Sequence, residues 1–247
     1  MFTRLLVGLD GSPRADAALE QAVVLGERFH STVLVAHVRT PGGTDGTEML
    51  DRARERLLAA ELQVELVEES GEPDAVLAAL AQEADAVLLG RHGKTKTKAL
   101  GPTVTSVIRH AGRCVIACAG SPSPMRSCAV AYDGGETSQR ALELAVRFAS
   151  VANSTVHVIH AADDREAGLK VLGAAEAVLS MQRIPFASHV EPGSPGEVIA
   201  RVIKRIGCDS LFAGAHMEPR AGRTSIASVS HAEEILLRTD IPVVVQP

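Results

Sequence analysis

The sequence predicts an α/β protein of two tandem domains, each with a parallel sheet wound with helices on both faces. Three observations carry that prediction. The first is an internal repeat: Leu5–Val38 and Cys128–Ala161, laid over each other without gaps, agree at about 13 of 34 positions. Val7-Gly8-Leu9-Asp10-Gly11 opens the first copy and Val130-Ala131-Tyr132-Asp133-Gly134 the second. The second observation is that short apolar runs alternate with stretches of helical spacing, which is the pattern of strand–helix–strand crossover units. The third is length: 247 residues hold two domains of about 120, each large enough for its own core.

Taken in order, Leu5–Leu9 is an apolar run of strand length, and Asp10-Gly11-Ser12-Pro13 has the chemistry of a turn and a helix start. Ala15 to Phe29 sets Ala18, Leu19, Ala22, Val23 and Leu25 at helical spacing. Thr32–Val38, β-branched and apolar, reads as a buried strand, and the Gly- and Thr-rich stretch 39–46 as a loop. Leu50 to Leu62 reads as an amphipathic helix with Leu57, Leu58 and Leu62 on its inner face. Val64–Val67 is a strand, and Gly71-Glu72-Pro73 starts a helix carrying Val76, Leu77, Leu80 and Ala81. Ala86–Leu89 is a strand, Gly90–Gly101 a polar loop, Thr103–His110 a helix and Cys114–Ala119 the last strand. Strands apolar throughout predict a doubly wound, five-stranded, Rossmann-like sheet covered on both faces. Its ligand crevice lies at the carboxyl ends of the strands, where strand order reverses. Asp10, Val38 and Gly90 all fall at such ends.

Gly120-Ser121-Pro122-Ser123-Pro124 has linker composition, giving domains at 1–120 and 127–247 with 121–126 between them. The second half repeats the plan, with strands near Ala129–Tyr132, Thr155–Ala161, Phe186–Val190, Ser210–Phe212 and Val243–Val245 and a helix Val198–Ile206. The apolar, β-branched last strands of the two halves predict an intramolecular pseudo-dimer joined there, which protects both edges.

Composition excludes several function classes. A net charge of −5, with one Tyr, five Phe and no Trp, argues against nucleic-acid binding. The apolar runs, such as Ala84–Gly90 broken by Asp85, fall short of the roughly 20 residues that span a bilayer. The first residues run directly into a strand without an apolar leader, so the expected location is cytoplasmic. Cys114, Cys118, Cys128 and Cys208 show no zinc or redox spacing and read as buried thiols. The nine histidines include no pair at zinc spacing with Cys or carboxylate support, so no metal site is expected. Glu68-Glu69 and Glu233-Glu234 read as solvated faces. No Ser-His-Asp ordering or nucleophile elbow is present.

The stretches with chemical content are Asp10-Gly11-Ser12 after the first strand and Gly90-Arg91-His92-Gly93 after the fourth. Glycines between strand and helix let backbone N–H groups approach phosphate oxygens, and a helix N-terminus favours the negative charge. Lys94, Lys96 and Lys98 follow, and then Gly101-Pro102-Thr103 opens a helix. The same residues also suit a plain turn and a solvated lysine-rich loop; spacing alone leaves both open.

With these residues in hand, the whole chain resembles a tandem member of the universal stress protein family. The resemblance rests on Val7-Gly8-Leu9-Asp10-Gly11-Ser12 with Ala18-Leu19, on Gly71-Glu72-Pro73 and on Leu88-Leu89-Gly90-Arg91-His92-Gly93. It continues from Gly101 through Val107-Ile108-Arg109-His110-Ala111 to Val115-Ile116. It implies a stress-responsive protein that binds ATP or another adenine nucleotide, with magnesium as the companion ion, as a switch or reservoir. ATP-binding members carry G-x-x-G, nine residues, then Gly and a hydroxyl residue. Carried over, Gly8, Asp10, Gly11 and Val38 belong to the adenosine end, with Asp10 and Val38 facing base and ribose. Gly90, His92, Gly93, Gly101, Pro102 and Thr103 belong to the phosphate end. The chain departs from that pattern in having seven residues between Gly93 and Gly101, and Pro102 in place of the hydroxyl residue. In the second half Asp133, Gly134 and Ser138 remain, but Gly214-Ala215-His216-Met217 lacks the second glycine. Val229-Ser230 stands where the third glycine and its hydroxyl belong, with Gly222 inside the loop. The expectation is one competent site and one degenerate partner, the latter comprising Asp133, Gly134, Gly214, His216 and Ser230.

No carboxylate placed to bind metal beside the phosphates and no base poised over water is evident, so an enzyme is not expected. The rival readings are a nucleotide-independent interaction protein with an unidentified protein partner, and a slow ATPase or self-phosphorylating enzyme using Thr95, Thr97, Thr103 or Ser106. Pairing of whole tandem chains into a homodimer is a further expectation.

Overall fold

The computed structural model describes residues 1–42, 45–91, 100–215, 235–236 and 238–247. The chain divides into two compact units, Met1–Ser123 and Pro124–Pro247.

In the N-terminal unit the order is β1 (Arg4–Leu9), α1 (Pro13–Phe29), β2 (Thr32–Arg39), α2 (Thr47–Leu58), β3 (Gln63–Ser70) and α3 (Pro73–Leu80). A short turn of tighter helix at Ala81–Glu83 leads to β4 (Ala86–Gly90), α4 (Pro102–His110) and β5 (Cys114–Cys118). The strands are all parallel and lie in the order β3-β2-β1-β4-β5. The chain winds outward from β1 through β2 to β3, then crosses to β4 and β5 on the other side. Strand order therefore reverses between β1 and β4, and the crevice of this sheet opens there.

The C-terminal unit repeats the design with β6 (Ser127–Ala131), α5 (Glu136–Ala152), β7 (Thr155–Ala161), α6 (Arg165–Met181), β8 (Phe186–Glu191), α7 (Pro195–Ile206), β9 (Ser210–Gly214) and β10 (Val243–Gln246). Its parallel order is β10-β9-β6-β7-β8, with the reversal between β6 and β9. Both units are thus doubly wound parallel sheets, as the alternation of patterns predicts. Among the described residues no helix is long and apolar enough to cross a membrane.

Several positions shared by the two copies have visible structural work. Ser31 and Ser154 donate their hydroxyls to carbonyls just ahead of the first strand of each unit, those of Phe2 and Met125. Asp85 accepts from Thr3 N at 2.6 Å and Arg4 N at 3.1 Å, and Asp209 from Arg126 N and Ser127 N at 2.9 Å each. These carboxylates satisfy N–H groups that the first strand cannot pair itself. Helices α1 and α5 end on His30 and Asn153, both at φ +53°, the left-handed stop that closes a helix.

Three expectations need correction. Helix α2 begins at Thr47, where Asp45 Oδ1 accepts from Thr47 N at 2.9 Å and from its hydroxyl at 2.6 Å, and it ends at Leu58, not Leu62. Its inner stripe is Leu50, Ala53 and Leu57, spaced three and seven residues apart. Leu58, about 100° further round the helix, is 52% exposed. The third is that β3 is not apolar throughout: it is an edge strand whose Glu65 accepts from the two terminal guanidinium nitrogens of Arg4 at 2.6 and 2.7 Å, a charged edge of the kind that discourages further pairing. The Arg4 bond holds the Glu65 carboxyl below its ordinary range.

All four cysteines are free and buried. Burial pushes the Cys114, Cys118 and Cys128 thiols up to about 12, so these are packing groups rather than nucleophiles.

Candidate functional site

The site is assembled from the carboxyl ends of β1, β2 and β4 and the start of α4. Asp10 leaves β1 and accepts from Ser12 N on Oδ1 at 2.9 Å, a tight turn that Gly11 completes at φ +76°. Ser12 then caps α1, accepting from Ala15 N at 3.2 Å, and Pro13 takes the first helical position. The other oxygen of Asp10 has no partner among the described residues. The turn leaves a half-buried carboxylate with spare accepting capacity at the carboxyl end of β1.

Gly90 ends β4, directly beneath the first turn of α1. A Cβ there would lie 2.7 Å from the carbonyl carbon of Arg14 and 2.9 Å from Ala15 N. The glycine is needed for this approach of helix to strand. Gly214 repeats it in the C-terminal unit, where a Cβ would lie 2.4 Å from the carbonyl carbon of Thr137. Gly8 is buried within β1, where a Cβ would meet Leu89 Cδ2 at 2.7 Å and Leu77 Cδ1 at 3.2 Å. Its environment is the packed core.

After β4, Arg91 N donates to Cys118 O at 3.0 Å and Gly101 N donates to Arg91 O at 2.8 Å. The two ends of the 92–100 loop are therefore pinned together. Gly101 caps α4 in extended conformation without a side-chain cap bond, and Pro102 occupies the first turn. The N–H that Pro102 lacks is one that a helix start leaves unpaired anyway. The N–H groups of Thr103 and Val104 remain at the open end, where an anion is favoured. Behind them Ser106 Oγ donates to Asp74 Oδ2 at 2.6 Å, tying α4 to α3, and His110 Nδ1 lies 3.2 Å from the same hydroxyl. The Ser106 bond first, and His110 less, holds the Asp74 carboxyl below its usual range. Composition gave no signal for this link.

On the β2 side, Val38 is half-buried at the strand end, opposite Glu69 of β3. His37 Nδ1 donates to Leu9 O at 2.9 Å, so the ring bridges the ends of β2 and β1. Gly46 lies against that ring: a Cβ would stand 2.2 Å from His37 Cδ2, and Gly46 N donates to Glu68 Oε1 at 3.0 Å. In the C-terminal unit His160 Nδ1 donates to Tyr132 O at 2.8 Å, and Gly168 packs on its ring. The repeated histidine is a strand-end brace. The coincidence of His37 and His160 in the aligned copies was the available signal.

Asp133 is more heavily engaged than Asp10. Its Oδ1 accepts from Gly135 N at 2.8 Å and from Ser138 Oγ at 2.6 Å, and Gly134 takes φ +81°. The position of the first copy aligned with Ser138 is Ala15, which has no hydroxyl to offer Asp10. His92, Gly93 and the three lysines lie outside the described residues, as do His216, Met217, Gly222, Val229, Ser230, Glu233 and Glu234. Among the described residues no three His, Cys, Asp or Glu side chains are grouped as metal ligands.

This geometry, a parallel sheet whose strand order reverses beside its first strand in both units, agrees with the comparison to known families. The model of the universal stress protein family matches residues 1–117 and again 125–247. The chain belongs to the universal stress protein family. It is a tandem member, and its fold recurs along nearly its full length. A universal stress protein from Archaeoglobus fulgidus DSM 4304 superposes with a TM-score of 0.84 at 21% identity, covering 98% of this chain and 95% of that one. A functionally unknown protein from Pseudomonas aeruginosa PAO1 superposes with a TM-score of 0.76 at 16% identity, covering 99% and 92%. A universal stress protein solved in complex with cAMP covers 46% of this chain and 94% of its own, with 22% identity and a TM-score of 0.41. No curated protein sequence matches the chain. The two full-length superpositions show that the fold is shared.

Proposed function

We propose that the N-terminal unit of this universal stress protein binds one adenine nucleotide, with ATP the favoured form, and holds it as a regulatory ligand. The observation that carries the reading is the spare oxygen of Asp10 at the strand-order reversal, with the uncapped start of α4 following the neighbouring strand β4. A carboxylate is the acceptor that sugar hydroxyls and an amino-purine edge offer hydrogens to, and a helix start receives phosphate oxygens. Gly11 and Val38 flank the adenosine end; Gly101, Thr103 and the Val104 N–H form the described part of the phosphate end.

A bound nucleotide brings the negative charge that such a helix start stabilises, and any magnesium arrives with the phosphates rather than on ligands of this chain. The residues hold and orient. None is assigned to proton transfer, so the unit stores or senses nucleotide rather than turning it over. The C-terminal unit, with Val229-Ser230 at the place of the Gly and hydroxyl pair, is the degenerate partner.

Calorimetric titration of ATP with magnesium into stripped protein tests this. Asp10→Asn keeps an acceptor for Ser12 N but removes the charge and the second carboxylate oxygen. The expected loss of affinity is about tenfold to a hundredfold, the value of a charged hydrogen bond. Asp133→Asn is expected to leave the affinity unchanged. An Asp10→Asn protein that binds as tightly as wild type contradicts the assignment.

A further inference from the structure

The C-terminal unit contains a pair of histidines that the nucleotide reading does not use. His157 on β7 and His189 on β8 lie on one face of the sheet, with His157 Nδ1 3.3 Å from His189 Nε2 and ring centroids 5.5 Å apart. Both rings are half-buried. Two imidazole nitrogens at this distance form a hydrogen bond only if one carries a proton and the other a lone pair. One added proton is compatible with the contact. Two are not, because N–H would then face N–H between two cations.

The surroundings sharpen this. Residues alternate across a strand, so His189 and Glu191 share their face of β8, and α7 covers it. From α7, Arg201 and Arg205 reach over to Glu191, leaving that carboxylate already committed to two guanidinium groups. From β6 the residue opposite His157 is Ala129, and from β8 it is Ala187, neither charged. Helix α6 packs on the other face, where Gly168 meets Val190 and His160, and its Lys170–Glu166 pair is exposed. The groups facing the pair are thus two arginines and one engaged glutamate, an environment that disfavours further positive charge, metal ion included.

The N-terminal unit supplies an internal control. In the aligned repeat His157 corresponds to Leu34 and His189 to Val67, a match supported by equivalent registers: Ile159 pairs with His189 as Ala36 pairs with Val67. Arg201 and Arg205 correspond to Ala79 and Glu83. The same two positions carry aliphatic residues in one unit and, in the other, an imidazole pair on the face from which two arginines reach Glu191.

We infer that the His157–His189 contact is an acid-sensitive latch that seats α7 on the sheet of the C-terminal unit, with no counterpart in the N-terminal unit. Acidification adds a second proton to the pair, separates the rings and loosens α7, whose apolar stripe of Val198, Ile199, Val202 and Ile203 otherwise holds it down. The sign follows from linkage. Burial holds both imidazoles below their ordinary 6.5, with His157 and Arg205 lowering His189 further against the opposing effect of Glu191. The unfolded chain then takes up protons first, so the unit's stability is full above about 6.5 and declines as pH falls below it.

The chain has one tyrosine, and Tyr132 is buried in the C-terminal unit, so its fluorescence follows unfolding of that unit in the intact protein. Urea midpoints are measured at about pH 7.5 and about pH 5.5 for wild type and for the double variant His157→Leu, His189→Val. The wild-type midpoint is expected to fall on acidification and the variant to lose at least half of that fall. An equal fall in both proteins, or none in wild type, overturns the latch. Should the double variant fail to fold, His189→Gln, which retains hydrogen-bonding groups but does not titrate in this range, decides between the same two outcomes.

Discussion

Replacing Gly90 by alanine is expected to destabilise the N-terminal unit by about 3 kcal/mol, the upper range for overpacking a well-filled site. The added methyl would sit 2.7, 2.8 and 2.9 Å from the Arg14 carbonyl carbon, the Arg14 oxygen and Ala15 N. These are backbone atoms of the first turn of α1, which cannot rotate away as a side-chain terminus would. Helix α1 must lift, and its start is the turn that holds Asp10. The same substitution is therefore expected to weaken the proposed nucleotide binding along with stability. Gly214→Ala does the equivalent in the C-terminal unit, where the contacts with Thr137 are shorter still at 2.4 Å, and Tyr132 fluorescence reports it directly. Urea denaturation followed by circular dichroism checks Gly90→Ala. A shift of less than about 1 kcal/mol would mean that the helix start yields at little cost, against the tightness of packed interiors.

The second large effect is expected at Gln21. This side chain is fully buried on α1, and its amide pairs in both directions with Ser123: Nε2 donates to Ser123 O at 3.0 Å and Oε1 accepts from Ser123 N at 2.8 Å. The last residue of the N-terminal unit is thereby fastened to its first helix. Gln21→Ala removes both bonds from buried backbone and leaves a void. The expected loss is about 2–6 kcal/mol, at about 1–3 kcal/mol for each of the two groups losing its partner. Gln21→Leu separates the causes, since leucine is what the second copy carries at the aligned position 144. It refills the volume without restoring the bonds. A loss nearly as large as that of alanine shows that hydrogen bonding is responsible; full recovery would assign the effect to packing.

The sequence made the fold readable because its signals are redundant. Apolar runs of strand length recur between helical patterns, and a copy of the same plan confirms each one. The turn at Asp10-Gly11-Ser12-Pro13 was equally plain, since its residues have few other uses. Legibility failed where a position is decided by a distant partner. Leu58 looks like a core residue until the start of α2 is known, and that start depends on Asp45 reaching Thr47. Gln21 reads as one more polar residue on a helix because the backbone it serves is 102 residues away. The glycine at 46 has meaning only once the His37 ring is seen against it. The need for glycine at 90 was legible, but the reason lies in its approach to α1. Likewise, the His157–His189 contact joins residues on different strands, and no local pattern announces it.

The motif departures set an expected division between the halves, and the structure adds a chemical contrast. Asp10 has one oxygen engaged by the turn, while Asp133 Oδ1 holds both Gly135 N and the Ser138 hydroxyl. The copies share a scaffold and differ in what their strand ends present to a ligand.

The proposed state of the protein has one adenine nucleotide resident in the N-terminal unit. The most direct test is to denature freshly purified protein, separate the released small molecules by chromatography and quantify adenine nucleotides against chain concentration. With one tyrosine and no tryptophan in the chain, the adenine absorption band stands clear of the protein's own. The expected result is about one nucleotide per chain, lost in Asp10→Asn and retained in Asp133→Asn. No released nucleotide, together with no uptake after addition of ATP and magnesium, would contradict it and leave the interaction-protein reading in its place.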